Sequence, residues 1–174
     1  MFKIAIFIIV SIGILILFLK YLRQRHSHDF YVFFAFQSIL WLLFLNMDYW
    51  FRNTFSAMQI VSWLLLLCSL ILVIQGFYLL HKIGRPEHGI ETTTVLVKRG
   101  IYKYIRHPLY SSLMSLNWGI FFKDFSLFSI TLVLIATIFL IATAMVEEKE
   151  NIQKFGAEYT AYMKETKRFI PFLI

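Results

Sequence analysis

The chain has one cysteine, Cys68, among its 174 residues, and this cysteine lies inside an apolar run. A single thiol forms no disulfide within the chain and makes no metal site by itself. The five histidines are scattered, without an HExxH pattern or a His/Cys cluster. The sequence also lacks a phosphate-binding loop, a GxGxxG pattern and a nucleophile elbow. It therefore predicts no metal site, and it does not indicate the enzyme classes that these motifs mark.

Charged residues are scarce, since they make up 16% of the chain against about 25% in soluble domains. Hydrophobic residues make up 59%, and the mean hydropathy is +0.70. The formal net charge is +7, and the basic residues flank apolar runs. That placement fits contact with anionic lipid headgroups better than contact with nucleic acid. The composition predicts an integral membrane protein whose partner is the lipid bilayer.

Five apolar runs predict transmembrane helices, which need about 20 residues each. They cover residues 2–19, 30–47, 57–80, 109–122 and 125–146. Because backbone polar groups must be satisfied internally in lipid, every span should be α-helical. The first run is long for a signal peptide and has no cleavage motif after it, so we expect a retained helix. The fourth run is short, and the Lys123-Asp124 turn joins it to the fifth as a hairpin.

The last helix is predicted to continue past the membrane. Ile152, Phe155, Tyr159 and Tyr162 recur at spacings that place them on one helical face. We therefore expect helix five to run on through Gly156 as an amphipathic cytosolic extension. The fold class is an all-α, polytopic membrane protein with about five transmembrane helices.

The distribution of basic residues predicts the orientation. Of the 17 lysines and arginines, all but Lys3, Arg52 and Lys123 fall on one side of a five-span chain. That side should be cytoplasmic, with the N-terminus outside and the C-terminus inside, most simply in the cell (inner) membrane. Buried polar side chains within the spans predict interhelical hydrogen bonds; they are Gln37, Gln59, Gln75 and Asn117.

The stretch at residues 99–110, RGIYKYIRHPLY, gathers basic, aromatic, glycine and proline residues. Gly100 permits a turn, and Pro108 suits the first turn of helix four. Arg106 and His107 then precede a helix N-terminus, which favours an anionic group. Two interpretations fit these residues: an anchor at the membrane interface, or a ligand site.

Glu147 and Glu148 lie where the fifth apolar run ends. A pair of carboxylates at that depth is costly unless it is solvated or paired. Either one carboxylate binds a cationic or hydroxyl-bearing ligand group, or the pair is an ordinary helix end beside the basic loop.

Two segments together resemble the isoprenylcysteine carboxyl methyltransferase family and the related phospholipid methyltransferases of membranes. They read TVLVKRGIYKYIRHPLY from residue 94 and EEKENIQKFGAEYTAYMKETKRFIP from residue 147. The family pattern of G-x-Y, R-H-P-x-Y, an apolar hairpin, E-E and F-G-x-E-Y occurs in this order. The resemblance covers about residues 84–171, whereas the first three runs match only in hydrophobicity.

The resemblance implies a methyltransferase that uses S-adenosylmethionine as cofactor. It implies one membrane domain over residues 1–174, with three spans in 1–80 and the cofactor-binding loop, hairpin and amphipathic helix in 81–174. Arg106, His107 and Glu147 would position the reactants. The cofactor-binding residues carried over from the family are Thr94, Val95, Leu96, Val97, Tyr102, His107, Pro108, Leu109, Tyr110, Glu147 and Glu148. Glu87 falls near a further contact position.

The chain departs from the prenylcysteine enzymes at Thr143, where those enzymes have an arginine associated with the substrate, and at Asn151, where an aliphatic residue is common. The resemblance implies a lipophilic acceptor, an isoprenylcysteine-type carboxylate being one candidate. A phospholipid or small-thiol methyltransferase of the same fold, a non-catalytic membrane scaffold and an NADPH-dependent membrane reductase are alternatives. The sequence indicates neither a general base nor an oligomeric state.

Overall fold

The computed structural model of the protein describes residues 2–19, 28–52, 55–85 and 93–172. Within these ranges the chain is helical, and its one β-type pairing is an isolated bridge. The helices are α1 (Phe2–Phe18), α2 (His28–Asn46), α3 (Ala57–Ile83), α4 (Pro108–Phe121), α5 (Leu127–Phe155) and α6 (Ala157–Glu165), with short 3-10 turns at Met47–Tyr49 and Gly100–Lys103. The all-α prediction is confirmed.

Three stretches of helix are long and apolar enough to cross a membrane: His28–Tyr49, α3 and α5. The other two apolar helices are shorter, with 17 residues in α1 and 14 in α4. At a rise of about 1.5 Å per residue, α4 extends only about 21 Å, less than a typical hydrocarbon core. Five spans therefore remain a prediction, as does the orientation.

The core is formed by α2, α4 and α5, which carry two clusters of buried apolar side chains. One cluster lies near the start of α4 and the other near its end. The first contains Val32, Ala35, Tyr110, Leu140, Ala144 and Phe169. The second contains Ile39, Leu42, Ile120, Phe121, Val133 and Ala136. Burial of these side chains fixes the N-terminus of α4 against the middle of α5.

Helix α3 packs on α4 through small side chains rather than large ones. Its buried residues include Ser62, Ser69 and Gly76, seven positions apart and therefore on one face. The Ser62 hydroxyl donates to the Gly119 carbonyl at 2.6 Å. A Cβ on Gly76 would lie 2.7 Å from Leu109 Cδ2. Close approach through small residues is the usual packing of helices in lipid, where apolar side chains gain little by leaving the solvent.

The break between α5 and α6 corrects one prediction. Helix α5 ends at Phe155, and Gly156 adopts φ 58° and ψ −128°, so the expected continuous helix through Gly156 is wrong. Only glycine takes this conformation readily, because a Cβ would clash with the backbone. The chain turns there, and Tyr159 and Tyr162 on α6 become buried.

Polar side chains join the helices at most of the expected positions. Gln37 donates to Ser11 Oγ, and Asn117 donates to the Val133 carbonyl at 2.9 Å. Gln59 donates to the Tyr49 carbonyl at 3.2 Å. The prediction was wrong for Gln75, which is exposed on the outer face of α3.

Candidate functional site

Arg106, His107 and Pro108, called here the R-H-P segment, are held in place by residues far along the chain. Residues 166–169, called here the C-terminal strap, run parallel to residues 105–107 through the isolated bridge between Ile105 and Lys167. Arg106 N donates to the Lys167 carbonyl at 2.8 Å, and His107 N donates to the Arg168 carbonyl at 3.1 Å. The strap thus fixes the backbone just before α4, where Pro108 occupies the first turn as predicted.

Glu148 is buried beneath this pairing, with its side chain 5% exposed. Arg106 Nε donates to Glu148 Oε1 at 2.9 Å. Arg168 donates from Nε to Oε1 at 3.1 Å and from Nη2 to Oε2 at 2.6 Å. These hydrogen bonds raise the pKa of Arg168 above its usual value. Buried carboxylates need such partners, because an unpaired charge is very costly in an apolar environment.

His107 lies between the two adjacent glutamates, with its side chain 2% exposed. Its Nδ1 is 3.7 Å from Glu147 Oε2, and its Nε2 is 3.4 Å from Glu148 Oε1. These are close polar contacts rather than well-aligned hydrogen bonds. The ring stacks on Tyr110, with the centroids 5.5 Å apart and the planes 21° apart. The motif histidine is therefore fixed in place on several sides.

An open cleft lies beside His107. Glu147, whose side chain is 23% exposed, supplies a carboxylate to its wall. Eight of the predicted cofactor-binding residues line it. They are Leu96, Val97, Tyr102, His107, Pro108, Leu109, Tyr110 and Glu147, and Arg106 lines it as well. The structure therefore brings the two motif segments together at one cavity.

The other predicted residues lie elsewhere. Thr94 and Val95 are exposed and outside the cleft lining, and their backbone N–H groups donate to the Gly84 carbonyl at 2.9 and 3.2 Å. They fasten the loop to the end of α3. Glu148 is also outside the lining, because its carboxylate faces the two arginines. Glu87 lies outside the described residues.

Six cleft-lining residues were missing from the predicted set: Leu80, Thr93, Asn151, Phe155, Tyr159 and Tyr162. The helical spacing of the last three was visible in the sequence, but it was assigned to an amphipathic face. Tyr162 donates its hydroxyl to the Tyr102 carbonyl at 2.6 Å, which joins α6 to the 3-10 turn across the cavity. Burial raises the pKa of Tyr159 and of Tyr162, so both hydroxyls stay protonated. For Leu80 and Thr93 the sequence offered no signal.

The lining combines one partly exposed carboxylate with flat aromatic rings. A carboxylate in a partly dry cavity attracts a cationic group strongly, and tyrosine and phenylalanine rings favour both cations and flat ligands. Arg106 also lines the cavity, but its guanidinium is engaged by Glu148, by the Thr166 carbonyl and by the Met163 carbonyl at 3.1 Å. The cleft therefore suits a ligand that carries positive charge and an aromatic ring.

Comparisons with known proteins identify relatives of the chain. It is 28% identical over 123 residues to methanethiol S-methyltransferase 1 of Bradyrhizobium diazoefficiens, covering 68% of this chain and 41% of that protein. It is 27% identical over 90 residues to methanethiol S-methyltransferase of Pseudomonas deceptionensis, covering 52% of this chain and 32% of that protein. The chain thus spans less than half the length of either relative. No solved structure matches it significantly.

The sequence model of one family, described as phospholipid methyltransferase, matches residues 57–158. The match covers more than half of the chain. It includes the R-H-P segment and Glu147, which line the cleft, and Glu148, which lies beside it. The chain belongs to the phospholipid methyltransferase family.

Proposed function

We propose that the protein is an S-adenosylmethionine-dependent membrane methyltransferase whose cofactor binds in the cleft beside His107. The observation that carries the proposal is the position of Glu147, a partly exposed carboxylate facing an aromatic cavity at the end of an apolar helix. Family membership supports methyl transfer as the chemistry.

The residues present fit this cofactor. S-adenosylmethionine has a sulfonium, an ammonium, a carboxylate and a flat adenine ring. Glu147 would hold the ammonium, and the tyrosines of α6 would pack against the adenine. The N-terminus of α4, where the helix dipole is positive, would receive the carboxylate. When bound, the cofactor would supply a methyl group on a positively charged sulfur.

The contribution of the chain itself is positioning and electrostatics. Methyl transfer is an in-line displacement, which gains most from fixing the reacting groups and stabilising charge. His107 is held by the strap and by Tyr110, so the polar end of the cleft is preorganised. The buried rings of Tyr159 and Tyr162 exclude water from one wall.

For the acceptor we propose a small lipophilic thiol. Among the described residues that line the cleft, Arg106 carries a guanidinium, and it is already paired with Glu148. Thr143 lies outside the lining, fully buried, with its hydroxyl donating to the Phe139 carbonyl at 2.8 Å. A carboxylate acceptor of the isoprenylcysteine type would therefore lack a counter-charge. Both relatives described above are named as methanethiol S-methyltransferases, which supports a thiol. An aminophospholipid is the second candidate. Its reacting amine carries no negative charge, and the description of the family names phospholipid methyltransferase.

We place the cleft at the cytoplasmic face of a five-span chain with its N-terminus outside. The R-H-P segment, the end of α5 and the strap meet at one end of the bundle. Lys3 pairs with Asp48, which lies beyond the far end of α2. The end with the cleft carries most of the basic residues, and this supports a cytoplasmic assignment.

The first test is ligand binding by the full-length protein in detergent. Titration calorimetry should detect S-adenosylmethionine and S-adenosylhomocysteine, and Glu147→Gln should weaken both at least tenfold, or about 1.4 kcal/mol. Glu150→Gln is the matched control, because Glu150 is an exposed carboxylate on the same helix that pairs with His28 outside the cleft. A folded sample that binds neither sulfur ligand would refute the proposal, and binding of NADPH instead would favour a reductase. An inert protein would favour a scaffold.

The acceptor is then tested with labelled S-adenosylmethionine. An alkanethiol, an aminophospholipid in mixed micelles and an S-farnesylated cysteine derivative should be compared at equal concentration. We expect transfer to the thiol first and least transfer to the farnesylated carboxylate. Preference for the carboxylate would show that the charge argument at Thr143 is mistaken.

A further inference from the structure

The two neighbouring glutamates of α5 have opposite surroundings. Glu147 lines the cleft with its side chain 23% exposed, whereas Glu148 is 5% exposed and lies beneath the R-H-P segment. Successive residues of a helix point about 100° apart, so one side chain faces the ligand cavity and the other faces the strap. The two glutamates therefore have different neighbours and are expected to have different roles.

We propose that Glu148 is a positioning residue, which fastens the C-terminal strap to the R-H-P segment and so holds His107 at the cleft. It does not contact the ligand. Arg168 is the strap's own partner in this fastening. The inference rests on the proposed function, since it concerns how the ligand cleft is held in shape.

The first step of the argument is that both oxygens of Glu148 are already used. Oε1 accepts from Arg106 Nε at 2.9 Å and Arg168 Nε at 3.1 Å, and Oε2 accepts from Arg168 Nη2 at 2.6 Å. A ligand ammonium could reach this carboxylate only by displacing a guanidinium from a buried site. Displacing it would leave that guanidinium without its counter-charge, which is strongly unfavourable.

The second step is that the two arginines come from the two segments that must be joined. Arg106 belongs to the R-H-P segment, and Arg168 belongs to the strap. Arg106 also donates from Nη1 to the Thr166 carbonyl of the strap. Further along, Ser111 Oγ on α4 donates to the Phe169 carbonyl at 2.8 Å. A single carboxylate therefore neutralises the charge that would otherwise push the two segments apart.

The third step connects the strap to His107. The His107 N–H donates to the Arg168 carbonyl at 3.1 Å, and the ring lies 6.1 Å from the ring of Phe169, centroid to centroid. The imidazole Nε2 is 3.4 Å from Glu148 itself. The position of His107 therefore depends on both the strap and the carboxylate beneath it.

The test uses Arg168, because Glu148→Gln removes the counter-charge of the buried Arg106 guanidinium and of the partly exposed Arg168 guanidinium together, and can fail to fold. Arg168→Gln removes one guanidinium, keeps the Glu148–Arg106 pair and lies outside the cleft lining. We expect amide hydrogen exchange of residues 104–107 and 166–169 to speed up at least tenfold, and the affinity for S-adenosylhomocysteine to fall at least fivefold. Arg168→Lys, which keeps the charge, should restore part of both.

Lys167→Gln is the matched control. It removes one positive charge from the adjacent strap residue, whose side chain is exposed, and it leaves the backbone pairing intact. We expect exchange and affinity within twofold of the unmodified chain. If Arg168→Gln also leaves either quantity within twofold, the positioning role is overturned.

A double variant tests the coupling between Glu148 and Arg168, in samples whose folding has been checked. If Glu148 and Arg168 act as one unit, Glu148→Gln combined with Arg168→Gln should bind S-adenosylhomocysteine no more weakly than Glu148→Gln alone. Additive losses would overturn the inference. Absence of binding by the unmodified, folded chain would overturn the proposed function itself, which distinguishes the two failures.

Discussion

Replacing Gly76 with alanine should push one wall of the cleft inward. The new methyl would start 2.7 Å from Leu109 Cδ2, whereas carbon atoms prefer about 3.5–4.0 Å. Leu109 would therefore have to move by about 1 Å, and Leu109 lines the cleft. Overpacking of this kind costs about 1–3 kcal/mol, and the preference of helices for alanine over glycine offsets about 0.5–1 kcal/mol of that cost.

The assay has two readouts in the same detergent. A net loss of up to about 2.5 kcal/mol should lower the thermal midpoint by roughly 2–4 °C per kcal/mol. The affinity for S-adenosylhomocysteine should also fall, by about fivefold to tenfold, or about 1.0–1.4 kcal/mol. The second effect is the specific one, because it requires the displaced Leu109 to enter the ligand cavity.

Two other glycines supply the controls. A Cβ on Gly119 would lie 3.0 Å from Leu66 Cδ2, in the same α3–α4 interface, but about 16 Å along α4 from Pro108. Gly119→Ala should lower the midpoint without changing the affinity. A Cβ on Gly13 in α1 would meet nothing within 4 Å, so Gly13→Ala should lower neither the thermal midpoint nor the affinity for S-adenosylhomocysteine. Equal affinity for Gly76→Ala and Gly119→Ala would refute the reasoning.

Two further substitutions test the two ends of the bundle. Tyr162→Phe leaves the Tyr102 carbonyl without the buried hydroxyl that donates to it at 2.6 Å. The substitution should destabilise the fold by about 1–2 kcal/mol and loosen α6, so that proteolysis near Gly156 becomes faster. An unchanged thermal midpoint would contradict this expectation. Lys123→Met removes an ammonium that donates to Gln59 Oε1 at 3.0 Å and lies 3.5 Å from the centroid of the Trp63 ring. It should lower the thermal midpoint by an amount equivalent to about 1–2 kcal/mol but leave ligand affinity unchanged, because this cluster lies at the end of α4 opposite the cleft; weaker binding would show that the two ends are coupled.

Much of the architecture followed from physical constraints visible in the sequence. Apolar runs near 20 residues must be helical in lipid, and Pro108 marked the start of α4 because its missing N–H costs nothing there. The proximity of the R-H-P segment and the glutamate pair also followed, through the resemblance of both segments to one family. Its physical expression is the buried contact between Arg106 and Glu148.

The resemblance singled out Glu147 for positioning the reactants but also counted Glu148 among the cofactor-binding residues, and nothing in the sequence pattern shows that Glu148 faces away from the cleft. Both are acidic, both follow the same apolar run, and only the rotation of α5 decides which of them faces the cavity. One of the two arginines that pair with Glu148 is Arg168, twenty residues away in a strap that has no helical or strand pattern. Pairings between irregular segments leave no periodicity in a sequence, so no periodicity argument reveals them.

The aromatic side chains on one wall of the cleft show why the break between α5 and α6 was missed. Phe155 and Tyr159 were assigned to one face of a continuous helix, and both line the cleft, yet the helix between them is broken. Spacings of three and four residues look the same whether a helix continues or restarts in phase. Gly156 was the available signal, but glycine within a helical pattern does not always end the helix.

The conformation of Gly156 makes the length of the α5–α6 junction as important as its residue type. Space is open around it, since a Cβ would meet nothing within 4 Å, and the demand comes from the backbone angles alone. One residue added or deleted there would rotate α6 by about 100° about its axis and turn Tyr159 and Tyr162 away from the cleft. The length of the junction thus fixes the rotational position of α6 relative to α5. Proteins that share this cleft should therefore vary in the sequence beside the junction far more freely than in its length.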